Sequence, residues 1–251
     1  MSALTSTSPP TPSHTHTYAS LYANILHLSK TLPDLTSSSP GDRVLLVYTP
    51  STSFILAFLA LLHCSLVPVP VFPPNPLNVK TDVDAFDNII TSSGAKVALT
   101  NSSYDKARTL GKIKGALKGS PGFKGERRVS WYNTDLLSPP PSPPLPLGDD
   151  DDAAAEDRDA GLCFLQYTSG STSAPKGVRI TLPSLHHNLS AISSCLSTSP
   201  STVEVSWLPQ YHDMGLIGSY LGLLWCGGSG HYTSPVTFIK DPLSVMRLCS
   251  G

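Results

Sequence analysis

Charge is scarce in this chain. Lys, Arg, Asp and Glu make up 14% of its 251 residues, 17 basic against 18 acidic, for a net charge of −1. No basic field exists to attract nucleic acid or an anionic membrane, so nucleic acid is not an expected partner. Cysteine is sparse too: Cys64, Cys163, Cys195, Cys226 and Cys249 are scattered, with no C-x-x-C pair. That spacing excludes a zinc site and a disulfide framework, and it predicts reduced, buried thiols in a cytoplasmic protein. Long apolar runs are missing as well. The most hydrophobic stretch, 54–71, is interrupted by His63 and broken by Pro68 and Pro70, whereas a spanning helix needs about 20 continuous apolar residues. It reads as a buried helix followed by a buried strand, not as part of an integral membrane protein. Residues 1–17 hold neither an apolar core segment nor an arginine, which argues against a secretory or transit peptide. Their Ser/Thr/Pro-rich composition predicts a disordered tail, in which His14 and His16 form no metal site.

Proline and glycine, at 24 and 18 residues, are what the chain has in quantity, and they predict many loops. Between these loops, helical and strand-like segments alternate. Residues 18–32 place Leu21, Ile25 and Leu28 at helical spacing, and 42–48 read as a buried strand. A helix over 54–62 leads to a strand over 67–72, then a helix over 84–92 capped by Gly94, then a strand over 96–100. This alternation predicts an α/β fold, a mostly parallel sheet with helices on its faces. Residues 107–117 form a basic amphipathic stretch, expected as a solvated surface helix, and 129–132 a short strand. Residues 138–160 carry PPPSPPLPLG followed by DDDD, cannot bury enough surface to fold, and read as a mobile linker. The expected organisation is a tail (1–17), a first α/β part (18–137), the linker (138–160) and a second part (161–251). Within the second part, strands are expected over 162–165, 178–181 and 231–235. Helices are expected over 185–197, with Thr181 or Ser184 as N-cap, over 216–225, and from 241 to 248.

The most informative stretch is 166–177, QYTSGSTSAPKG. Thr168, Ser169, Ser171, Thr172 and Ser173 surround Gly170, and the segment closes on Pro175, Lys176 and Gly177. A loop of this composition suits a polyphosphate. Glycine lets backbone N–H groups approach closely, hydroxyls donate further hydrogen bonds, and one ammonium adds compensating charge. The spacing is not the G-x-x-x-x-G-K-[ST] of nucleoside triphosphatases. A second block, 205–218, reads VSWLPQYHDMGLIG: a short strand, a Pro turn, a His-Asp pair and an apolar helix opened by glycine.

The string YTSGSTSAPKG resembles the phosphate-binding signature of the adenylate-forming (AMP-binding) superfamily, which includes acyl-CoA synthetases, fatty acyl-AMP ligases and peptide-synthetase adenylation domains. WLPQYHDMGLIG is most similar to the fatty acyl-AMP ligase branch, and the resemblance spans roughly residue 18 to the end. The chain departs from the pattern at Ser173, where the family usually has glycine, and at Leu182, where it commonly has histidine. The resemblance implies part of the N-terminal domain of the adenylate-forming fold. It also implies ATP-dependent activation of a fatty acid to acyl-AMP, with Mg²⁺ bridging phosphate oxygens, and transfer to an acyl carrier protein or coenzyme A. On this pattern Thr168, Ser169, Gly170, Ser171, Thr172, Lys176 and Gly177 bind the ATP phosphates. His212 serves as the catalytic residue beside the acyl carboxylate, and Tyr211, Met214 and Gly215 contact substrate. Met214, Leu216 and Ile217 either line an acyl path or form plain core. The family's adenosine-binding motifs, hinge and catalytic lysine would lie beyond residue 251, so an incomplete, non-competent fragment is expected. A non-catalytic adenylation-like binding domain is the alternative.

Overall fold

The computed structural model describes residues 14–74, 82–117, 128–137, 161–168 and 175–250. The chain divides into two compact units, one covering His16–Leu185 and the other built from residue 186 onward. The predicted linker, 138–160, lies outside the described residues.

The first unit is organised around β1 (Arg43–Val47), in which Val44, Leu45, Leu46 and Val47 are fully buried. It lies in a four-stranded, all-parallel sheet of order β2-β1-β3-β4, formed with β2 (Val67–Pro70), β3 (Val97–Thr100) and β4 (Ser130–Asn133). The alternating V-P-V-P of β2 explains its place at the edge of that sheet. Val67 and Val71 donate to the Asp42 and Leu46 carbonyls at 2.8 and 3.2 Å, while Pro68 and Pro70 occupy the intervening positions and offer no outward N–H. β5 (Leu162–Thr168) lies against β2 without joining its ladder, and pairs antiparallel with β6 (Lys176–Thr181) as a separate hairpin.

Helices flank the parallel sheet as the alternation predicts. α1 (Tyr18–Thr36) opens on a capping box in which the Thr17 hydroxyl accepts from the Ser20 N–H at 3.1 Å and the Thr17 N–H donates to the Ser20 hydroxyl at 2.9 Å. It runs past the expected end at residue 32, because Pro33 removes only its own i−4 bond. The turn closes beyond it, with Ser37 left-handed and the Ser38 N–H on the Pro33 carbonyl. α2 (Thr52–His63) buries Phe54, Ile55, Phe58 and Leu61. Phe58 meets Phe164 of β5 edge-on at 5.3 Å, which anchors the hairpin to the core through side chains instead of a ladder. α3 (Asp82–Ser93) stops at Gly94, φ +69°, and α4 (Ser102–Leu117) starts five residues earlier than predicted. The added turn is capped by Asn101, whose Oδ1 accepts from the Tyr104 N–H at 3.1 Å.

After the hairpin, α5 (Leu182–Leu196) begins at residue 182, earlier than expected, and its residues from 186 onward belong to the second unit. Thr181 and Ser184 exchange side-chain and backbone bonds as a second capping box, which makes Thr181 the cap. β7 (Val203–Ser206) pairs parallel with β8 (Ser229–Tyr232). The predicted helix over 216–225 is instead a π-helix, Met214–Leu221, continued by α6 (Gly222–Cys226). Two further helices follow, α7 (Pro235–Lys240) and α8 (Leu243–Ser250). The sequence reading missed α7 and assigned its first residue to a strand. The Ser234-Pro235 pair was the available signal: Ser234 caps the Thr237 N–H at 3.0 Å, and Pro235 occupies the first turn.

The cysteines are free, but the expectation of burial is corrected. Cys64, Cys163 and Cys226 are half-buried and Cys195 and Cys249 exposed, because apolar neighbours in sequence do not by themselves place a residue on the inner face of its element. No helix among the described residues is long and apolar enough to cross a membrane.

Candidate functional site

The hydroxyl- and glycine-rich segment is the tip of a hairpin. Thr168, the last residue of β5, is the cross-strand partner of Lys176, the first of β6; behind them Tyr167 faces Gly177, and Gln166 faces Val178. The sequence reading assigned all of 166–177 to a loop, but antiparallel pairing claims both ends and leaves 169–175 as the connection. Ser169, Gly170, Ser171 and Thr172 lie outside the described residues. Of the predicted phosphate ligands, the structure therefore describes Thr168, Lys176 and Gly177.

Thr168 and Lys176 are both exposed at the mouth of the hairpin. The hydroxyl can donate, and the ammonium carries donors and no acceptor, a pair suited to an anion. Gly177 has a specific structural reason. A Cβ at this position would stand 2.9 Å from Cζ of Tyr167 and 3.1 Å from its Cε2. The Tyr167 ring covers its cross-strand glycine and leaves no room for a methyl group.

The second candidate cluster is built by the turn between β7 and the π-helix. The His212 N–H donates to the Pro209 carbonyl at 3.1 Å, and the His212 carbonyl accepts from the Leu216 N–H at 2.8 Å. These bonds fix the backbone on both sides of the imidazole. His212 Nδ1 lies 2.6 Å from Asp213 Oδ1, and both side chains are more than half exposed. A polar contact so exposed contributes little stability, so its effect is to orient the ring. Asp213 Oδ1 also accepts from the Met214 N–H at 2.8 Å at the start of the π-helix. Tyr211 is half-buried, and burial pushes its phenol pKa up. Met214 is exposed, Ile217 half-buried, and Leu216 fully buried as core. A Cβ on Gly215 would lie 2.1 Å from the Pro209 carbonyl oxygen, so this glycine permits the helix start to close onto the turn.

Gln210 is a site-adjacent residue the sequence reading passed over. It is buried, and its Nε2 donates to the Tyr220 hydroxyl at 2.9 Å. Tyr220 in turn stacks on Tyr232 with ring centroids 4.0 Å apart. Burial pushes the Tyr220 phenol up to about 12; the Gln210 bond opposes this, and the Glu204 carboxylate adds to it. Glu204 accepts from the Ser219 hydroxyl, and burial raises its pKa against the opposing hydrogen bonds of Ser219 and Tyr232. A polar residue between Pro209 and an aromatic was the only sequence cue for this network. Among the described residues no group of three or more His, Cys, Asp or Glu side chains could hold a metal ion.

An α/β unit with a parallel sheet, carrying a hairpin whose hydroxyl-rich connection leads into Lys176, fits the adenylate-forming class of protein. The chain matches the AMP-binding enzyme family over residues 3–250, and it belongs to that family. It is 33% identical over 246 residues to the medium-chain-fatty-acid–[acyl-carrier-protein] ligase TtuA of Teredinibacter turnerae, covering 83% of this chain and 36% of the relative. It is 30% identical over 210 residues to the ligase JamA of the same description from Moorena producens, covering 84% and 33% respectively. Its structure resembles the fatty acyl-adenylate ligase of Legionella pneumophila solved with acyl adenylate and pyrophosphate. The TM-score is 0.70 at 29% identity, over 94% of this chain and 38% of that one. An adenylation domain from a keto acid-selecting peptide-synthetase module, at 18% identity and TM-score 0.74, shares the fold. The chain spans about a third of the length of the curated relatives it matches.

Proposed function

We propose that the chain supplies the phosphate-gripping part of a cytoplasmic ligase that activates a fatty acid with ATP. The fatty acid's carboxylate oxygen bonds to the α-phosphorus of ATP, the bond from that phosphorus to the pyrophosphate oxygen breaks, and acyl-AMP and pyrophosphate result. A carboxylate is already ionised at neutral pH, so no residue need act as general base. Catalysis then rests on in-line positioning and on charge stabilisation at the leaving group. The observation that carries this reading is the hairpin mouth, where Thr168 and Lys176 face each other across a connection rich in serine, threonine and glycine.

In this reading Thr168, Ser169, Gly170, Ser171, Thr172, Lys176 and Gly177 bind the β- and γ-phosphates. The described donors, a hydroxyl and an ammonium, fit phosphate oxygens. Mg²⁺, carried on those oxygens, would supply neutralisation of the pyrophosphate charge. His212, oriented by Asp213, holds the acyl carboxylate, with Tyr211, Met214 and Gly215 bordering it. An acyl carrier protein is the proposed acceptor, because the ligases TtuA and JamA are named for it; coenzyme A is the alternative. ATP–pyrophosphate exchange on the intact protein, meaning the full-length ligase of which this chain is proposed to be a part, tests the assignment. Exchange stimulated by a fatty acid supports the ligase; its absence across a broad panel of acids, with the protein folded, leaves a non-catalytic binding domain.

A further inference from the structure

The hairpin mouth is tied to the sheet's flanking helix through one side chain. The Tyr167 hydroxyl lies 2.7 Å from the Ser92 hydroxyl on α3, 75 residues away in sequence. Ser92 has a single proton, and its oxygen stands 2.7 Å from the Asn88 carbonyl within α3. With that proton committed to Asn88, the Ser92 oxygen accepts from Tyr167. The result is a directed chain, Tyr167 O–H to Ser92 Oγ and Ser92 O–H to Asn88 O. The same Tyr167 ring covers Gly177, the residue next to Lys176 and the cross-strand partner of Tyr167 itself. One aromatic side chain therefore contacts both strands of the hairpin and bonds to α3. Ile89 and Ile90 of that helix belong to the buried cluster shared with β1 and β2.

We infer that Tyr167 and Ser92 form a strut that sets the position of Lys176 relative to the α/β core, making both of them positioning residues for ATP. This rests on the reading of the hairpin as a phosphate grip. Without the strut the hairpin keeps its own ladder and its Phe164 anchor, but its mouth is no longer indexed to α3. Lys176 would then sample positions away from the nucleotide. The strut accounts for the need for glycine at 177 as well, since a methyl group there displaces the ring and breaks its bond to Ser92.

Steady-state exchange kinetics on the intact protein with Tyr167→Phe, Ser92→Ala and the double variant test this. Each single variant is expected to raise KM for MgATP about fivefold to tenfold, the loss of roughly one net hydrogen bond. KM for the fatty acid should stay unchanged, and the double variant should be no worse than either single one. Gly177→Ala, which keeps both hydroxyls, should show the same selective rise. A merely structural bond would lower the denaturation midpoint while leaving the two KM values in their original ratio, and that result overturns the strut. So do additive effects in the double variant. Lys176→Ala separates the two levels. If it leaves KM for MgATP unchanged, the phosphate-grip reading itself has failed; if it raises KM while the strut variants do not, only the strut has.

Discussion

One glycine and one carboxylate carry the residue-scale logic of the second unit. Gly215 sits so close to the Pro209 carbonyl oxygen, 2.1 Å for a hypothetical Cβ, that any side chain must open the turn holding His212. Gly215→Ala should therefore destabilise its unit by about 1–3 kcal/mol, as overpacking against backbone does, with a lower urea midpoint as the readout. Glu204 makes the opposite kind of prediction. Its folded pKa is raised, chiefly by burial, so between the unfolded carboxyl's value, about 4.3, and the raised folded value, the native state holds more protons than the unfolded one. Stability from this group is thus fully present below that window and is lost as pH rises through it. Glu204→Gln keeps an acceptor for the Ser219 and Tyr232 hydroxyls and removes the charge. It should be more stable than the parent at neutral pH, with a flatter stability profile above pH 4, as denaturant titrations across pH would show.

Helix entrances govern the element scale. Thr181 and Ser184 cap α5 directly after the hairpin's second strand. Thr181→Ala should cost about 1 kcal/mol of unit stability and move the denaturation midpoint without altering the acid panel that supports exchange. Elements were legible in sequence where one local signal dominated: the strand over 67–72, the Gly94 stop, the apolar α2. They were misread where two signals competed. Pro33 looks like a terminator, but near a helix's C-terminal end the bond it removes is affordable, so α1 runs on to Thr36. The 216–225 stretch has α-helical periodicity, yet the Gly222 N–H reaches back to the Ile217 carbonyl in π geometry, beside the close contact of Gly215 with the Pro209 carbonyl. That contact is between groups the sequence does not show to be neighbours. The hairpin was visible as a motif, but its pairing was not, because Tyr167 over Gly177 is a cross-strand relation and the glycine looked like one more loop residue.

At the scale of the whole molecule, family membership over residues 3–250 joins a parallel α/β unit to a second unit bearing the His212 turn. Bulk composition excluded a basic nucleic-acid surface and a long apolar span, while the positive assignment came from two short strings. What composition could not reveal was the network Glu204–Ser219 and Gln210–Tyr220, whose members lie 10–15 residues apart and meet only once the π-helix folds back against β7. The central claim is that the hairpin mouth grips nucleotide phosphates, and calorimetric titration of MgATP into the intact protein and its Lys176→Ala variant tests it most directly. The account predicts affinity weakened about tenfold to a hundredfold, the loss of a charge-assisted hydrogen bond. A folded variant that binds MgATP as tightly as the parent would contradict it.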